Sequence, residues 1–221
     1  MPHQQQPGFE RPLDMPTLFH SPHSRSSRII SQLMLMGKLD QIDVVIVEVI
    51  KGDGSGNSDR NNAHPEGKVP FLVTDEGETI RESTAIMMYL DEVFGYPFGI
   101  QPGTAGRGSF LSWMSYYGGV LEPAMVAHFA ELDNPVLNNN FRTMTEVHEQ
   151  IVSGLGDRPY LVGDRLTIAD IIMASAFQWA PHLTPDNAAV KAWLKRVADA
   201  QDGAGLEAFE AQSFEALKLR A

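Results

Sequence analysis

Strand-forming signals are confined to the first part of this chain, and that asymmetry limits the fold more than any other feature. Thr17-Leu18-Phe19-His20 reads as a short strand stopped by Ser21-Pro22. Ile29, Ile30, Leu33, Met34 and Met36 then recur at helical spacing up to Gly37, a natural helix stop. Ile42–Ile50 is rich in β-branched residues and predicts a second strand. Lys51–Asn62 is Gly, Ser, Asn and Asp, the chemistry of a loop. Pro70–Thr74 predicts a third strand, turned by Asp75-Glu76-Gly77 into Glu78-Thr79-Ile80. Ser83 opens an amphipathic helix through Ile86, Met87, Leu90 and Phe94 to Gly95. Beyond Gly108 only helical periodicity remains. Phe110, Leu111, Met114, Tyr117, Leu121, Met125 and Phe129 step by three or four along one long helix, which Pro123 should kink. Phe141–Val152, Thr167–Trp179 and Ala188–Ala198 supply further helices.

The 221 residues therefore divide into a loose tail (1–15), a small α/β domain (16–95), a Gly/Pro-rich linker (96–107) and an all-helical domain (108–221). The tail is Pro- and Gln-rich and lacks the pattern of a secretion signal, so the expected compartment is the cytoplasm. With 17 Lys and Arg against 28 Asp and Glu, the net charge of −11 disfavours nucleic acid, whose phosphates need clustered cations. No apolar run approaches the ~20 residues that span a bilayer. The chain has no cysteine, which removes disulfides, thiolate metal sites and a catalytic thiol of its own. Any sulfur chemistry must use a ligand's sulfur.

Several short motifs carry chemistry or stability. Val69-Pro70 enters a strand with a residue that donates no ladder bond. Glu82-Ser83 stands at a helix start, where unpaired N–H groups and a partial positive charge suit either a cap or a bound carboxylate. Ser21-Pro22-His23-Ser24-Arg25-Ser26-Ser27-Arg28 places several serines before the first helix, as caps or as donors to a ligand. Thr167 and Asp170 form a Thr-x-x-Asp capping box, with Leu166 and Ile171 spaced for a hydrophobic staple; its removal is expected to cost about 1 kcal/mol. His128 and His182 show no metal-ligand spacing, so no metal is expected.

Strand-Ser-Pro-helix, then Gly67-Lys68-Val69-Pro70, then Glu82-Ser83, then Leu161-Val162-Gly163-Asp164-Arg165-Leu166-Thr167-Ile168-Ala169-Asp170, resembles the glutathione transferase family over residues 16–215, specifically its serine-type, theta-like bacterial members. The resemblance implies a thioredoxin-like α/β domain, an all-α domain and a homodimer. It implies glutathione as co-substrate and a small electrophile as second substrate. A cis Val69-Pro70 bond would let Val69 pair with the cysteinyl part of glutathione. Ser83 would hold the γ-glutamyl carboxylate and Glu82 the ammonium, with Lys68 facing the glycyl carboxylate. His64 is expected to be a loop residue.

Ser21 stands directly after the first strand and four residues before Arg25, matching the position of the catalytic serine in serine-type members. Arg25 occupies the thiol position of cysteine-type members, and Phe19 and His20 the tyrosine position of tyrosine-type members. Ser24, Ser26 and His23 remain alternatives to Ser21. A hydroxyl and a helix terminus, each worth on the order of 1 kcal/mol, would bring a thiol of pKa about 8.5 to roughly half ionised at neutral pH. Trp113, Tyr116 and Tyr117 are candidates for the acceptor pocket. A glutathione-dependent peroxidase or disulfide reductase, or a non-catalytic scaffold on the same fold, are the alternative functions.

Overall fold

The computed structural model describes residues 15–220. The tail expected over 1–15 lies, apart from Met15, outside the described residues. Two compact units divide the chain. The first contains the residues up to Ile86 and returns for Asp202 onward; the second spans Met87–Gln201. The sequence reading placed everything after residue 107 in one helical domain. Instead, the last helix belongs to the α/β unit.

In the first unit, β1 (Thr17–His20) leads through a serine-rich turn into α1 (Ser27–Met36). Gly37 ends α1 at φ 63°, and the N–H of Lys38 reaches back to the Leu33 carbonyl. β2 (Asp43–Ile46), β3 (Phe71–Val73) and β4 (Thr79–Ile80) complete a sheet of order β2-β1-β3-β4. β1 runs parallel to β2 and antiparallel to β3. β2 is shorter than its apolar pattern. The Val47 N–H still donates to His20, but β1 ends there and no partner strand is left to continue the ladder. Val47 and Val49 nevertheless pack with Phe19, Phe71 and Val73 in one apolar cluster. Leu18 and Leu72 point to the opposite face by strand alternation and are fully buried. Gly77, at φ 85°, makes the turn between β3 and β4.

α2 (Ser83–Val93) starts in this unit and runs into the second. There α3 (Arg107–Tyr116) continues through a single π-helical turn, Tyr117–Leu121, into α4 (Glu122–Phe129). The expected long helix is thus interrupted just before Pro123. Proline lacks the N–H and crowds the carbonyl four residues back, and Gly118-Gly119 let the backbone widen there. α5 (Pro135–Asn140) was not anticipated; Asn134 caps it by accepting the N–H groups of Val136 and Leu137. α6 (Met144–Leu155) begins later than expected because Thr143 and Glu146 form a capping box.

α7 (Ile168–Trp179) and α8 (Ala188–Ala200) follow. Asp170, fully buried, ties them together. Its Oδ2 accepts the Thr167 N–H at 2.9 Å and the Thr167 hydroxyl at 2.7 Å. Its Oδ1 accepts the Leu161 N–H at 2.8 Å and the Trp193 indole N–H at 3.0 Å. α9 (Gly203–Lys218) returns to the first unit.

Candidate functional site

The ends of three strands converge at one edge of the sheet. β1 finishes there, β3 begins there and β4 finishes there, since β3 is antiparallel to both. The β1–β3 register ends at the Phe19–Phe71 pair, so Ser21 and Val69 each lie two residues beyond that pair at the same end of the sheet. β4 leads from the same edge into Ser83 at the start of α2. The fold therefore gathers Ser21, Val69, Pro70, Glu82 and Ser83, which are far apart in sequence, at one edge of one sheet.

The local backbone is specialised there. The Val69–Pro70 peptide is cis. Val69 is half-buried and lies outside the ladder, which starts at Phe71. Glu82 is exposed and left-handed at φ 70°, a conformation that costs a non-glycine residue on the order of 1 kcal/mol. Its carbonyl receives the Ile86 N–H as α2 begins, while Ser83 is buried at the first helical position. Lys68 is exposed. His64 is buried in its loop: its Nδ1 accepts the Glu66 N–H at 3.0 Å and its ring lies 5.0 Å from that of Phe71. Burial holds its pKa below the ordinary value.

The serine turn is tightly wired. Ser21 is buried, and its bonds in this network run through its main chain. Its N–H donates to Ser26 Oγ at 3.1 Å, and its carbonyl accepts from Ser24 Oγ at 2.7 Å. Ser24 Oγ also lies 2.7 Å from Ser26 Oγ and accepts the Ser26 N–H. Ser26 is fully buried, with its Oγ 2.8 Å from His20 Nδ1. Ser24 and Ser26 thus spend their hydroxyls inside the turn, and both hold Ser21. His23 is exposed at φ 52°, with its N–H directed inward onto Glu210.

His20 and Glu210 are the participants that the sequence reading missed. Glu210 comes from α9; it is buried, its Oε2 is 2.7 Å from the His23 nitrogen and 3.4 Å from His20 Nε2. Burial pushes its carboxyl pKa up. The hydrogen bonds from His20, Ser27 and the His23 N–H outweigh this and hold it below the ordinary glutamate value. The available signal was an acid at the centre of a helical stripe of Leu206, Phe209, Ser213 and Leu217.

Trp113, Tyr116 and Tyr117 lie in the helical unit. Trp113 is buried against Gly154, where a Cβ would strike the indole. Tyr117 is buried and its hydroxyl donates to Glu122 at 2.7 Å. Tyr116 is the partly exposed member of the three, and burial raises its phenol pKa, so it remains neutral at physiological pH. Among the described residues there is no group of three or more His, Asp or Glu able to hold a metal, and no helix long and apolar enough to cross a membrane.

Comparison with known proteins agrees with this architecture. Residues 18–98 match the glutathione S-transferase N-terminal domain, and residues 113–200 match the glutathione S-transferase C-terminal domain. The chain belongs to the glutathione S-transferase family. It is 27% identical over 165 residues to glutathione S-transferase GstA of Escherichia coli O157:H7, covering 74% of this chain and 81% of that one. It is 32% identical over 123 residues to elongation factor 1-gamma of Trypanosoma cruzi, covering 53% of this chain but only 29% of that longer protein. A sphingomonad glutathione S-transferase solved in complex with glutathione superposes with a TM-score of 0.59 at 25% identity, covering 82% of this chain and 98% of that one.

Proposed function

We propose that the protein binds glutathione at the sheet edge and activates its thiol for attack on a small electrophile. The observation that carries this reading is the shared edge of Ser21, cis Val69–Pro70 and Ser83 in one unit. Val69 pairs with the peptide of glutathione, and Ser83 with the N-terminus of α2 takes the γ-glutamyl carboxylate. Glu82 takes the ammonium, and Lys68 the glycyl carboxylate. Ser21 is the catalytic residue: its hydroxyl donates to the sulfur and favours the thiolate. Ser24 and Ser26 are poorer candidates because their hydroxyls are engaged within the turn. Trp113, Tyr116 and Tyr117 line the acceptor pocket, with Tyr116 the partly exposed one. The enzyme works as a cytoplasmic homodimer in detoxification, with no metal.

The absence of cysteine makes the test direct, because every thiolate seen in an ultraviolet difference titration belongs to glutathione. The bound thiol should titrate well below about 8.5 in the wild type and return toward that value in Ser21→Ala. Glutathione bound with an unshifted thiol would instead indicate a carrier or a reductase. The likeness to elongation factor 1-gamma favours a second, non-catalytic reading, which absence of glutathione binding would support.

A further inference from the structure

The serine turn is anchored by an acid nearly two hundred residues away. Glu210 Oε2 accepts the His23 N–H, and it also faces His20 Nε2 across 3.4 Å with both side chains out of solvent. The opposite ring nitrogen, His20 Nδ1, contacts Ser26 Oγ at 2.8 Å, and that oxygen receives the Ser21 N–H. The chain Glu210–His20–Ser26 therefore ends on the main chain of the proposed thiol donor.

The protons along this chain have a fixed order, set by its far end. An ionised carboxylate only accepts, so the ring nitrogen that faces it carries the proton. In a neutral imidazole the other nitrogen is then an acceptor. With that tautomer Ser26 gives its hydroxyl proton to Nδ1 and keeps its lone pairs for the Ser21 N–H and for the Ser24 hydroxyl, whose proton is shared between Ser26 Oγ and the Ser21 carbonyl. The opposite tautomer would press a ring lone pair against the carboxylate.

Stability alone does not account for the acid. Glu210 Oε1 has no hydrogen-bond partner within the described residues, and neither does His20 Nε2 by strict geometry. An apolar residue of similar volume would pack this face of α9 without burying an incompletely paired charge. This segment has other attachments: Phe209 of α9 lies 5.6 Å from the His20 ring, and Arg220, just beyond α9, donates to the Ile46 carbonyl.

We infer that Glu210 is a positioning residue of the glutathione site, acting through His20 and Ser26 to hold Ser21 so that its hydroxyl meets the sulfur. This rests on the transferase reading given above. It makes the C-terminal helix part of the site without touching the ligand.

Two measurements test it. Nitrogen-15 spectra of the His20 ring in the ligand-free protein should show a neutral ring with its proton on Nε2. A doubly protonated ring, or a proton on Nδ1, overturns the inference. The bound thiol should then be titrated in Glu210→Ala and in the isosteric Glu210→Gln, which keeps a carbonyl acceptor if the smaller side chain does not allow folding. Both should raise the thiol pKa, alanine more than glutamine, with the thiolate fraction at pH 6.5 falling about threefold or more in Glu210→Ala. A folded variant that keeps the wild-type thiol pKa overturns the role of Glu210 and leaves the transferase reading standing. An unshifted thiol in the wild type removes the transferase reading, and this role with it.

Discussion

Two buried carboxylates, Asp170 in the helical unit and Glu210 in the α/β unit, are handled differently. Asp170 in the helical unit has two donors on each oxygen, all from neutral groups. Glu210 in the α/β unit accepts the His23 N–H on Oε2, which also faces His20, and is bonded by Ser27, while its Oε1 has no partner among the described residues. Burial dominates at Asp170 and raises its pKa even against four donors. At Glu210, hydrogen bonding and the facing imidazole prevail over burial and lower it. The first pattern is that of a fastener that completes a fold. The second leaves polar capacity unspent, and it lies beside the residues that would contact a ligand.

The contrast can be broken most forcefully at Asp170. Replacing it by alanine strands four buried donors and should cost about 3 kcal/mol, well above the ~1 kcal/mol expected of a surface cap. The urea midpoint would read this, and thiol binding by the surviving folded fraction should be unchanged. Next in size is Ser21→Ala, for which turnover at pH 6.5 should fall about tenfold with glutathione affinity nearly constant, the signature of a lost thiolate donor. Steady-state kinetics with kcat and KM separated would show it.

A smaller effect concerns acid stability. The Glu210 pKa is lowered on folding, so its contribution is present above the unfolded value of about 4.5 and is lost as pH falls through the folded value. Asp170 has the opposite sign: its raised pKa favours the protonated fold, a contribution complete below about 3.8 and lost as pH rises through the folded value. Urea midpoints of Glu210→Gln between pH 3 and 6 should therefore fall less steeply toward acid than those of the wild type. A steeper fall would reverse the assignment. The smallest change is expected for exposed Lys68→Ala: stability within about 0.5 kcal/mol and glutathione affinity reduced only a few-fold, measured by calorimetry.

Much of this contrast was half-visible in the sequence. The Thr167–Asp170 box could be read because capping is local, three residues apart. That the same carboxylate also serves Leu161 and Trp193 could not, since those contacts depend on how loops and helices pack. The strands and the first two helices were legible from alternation and from Gly37, Gly77 and Gly95. The break at Tyr117–Leu121 was half-legible: Pro123 marked it, but its conversion into a widened turn needed Gly118 and Gly119. α5 was hidden because Pro135-Val136-Leu137-Asn138-Asn139-Asn140 is too short and too polar for periodicity to register. α9 was hidden for a different reason. Its buried stripe is centred on Glu210 and Ser213, so a search for apolar spacing passes over it. At the site, Ser21, Val69, Glu82 and Ser83 were individually recognisable. That they follow strand ends at one side of the sheet came from the strand pairing, and the contacts of the serine turn with Glu210 join residues 187 apart in sequence.

The return of α9 to the first unit has a consequence for synthesis. The segment that carries Ser21, Val69 and Ser83 is made before the helical unit, and the helix that supplies Glu210 is made after it. Until residues 203–218 have emerged, the α/β unit faces the cell without its final helix, while the intervening helical unit is already complete. A nascent chain stalled after Gln201 would contain every proposed ligand contact and lack the buried acid behind them.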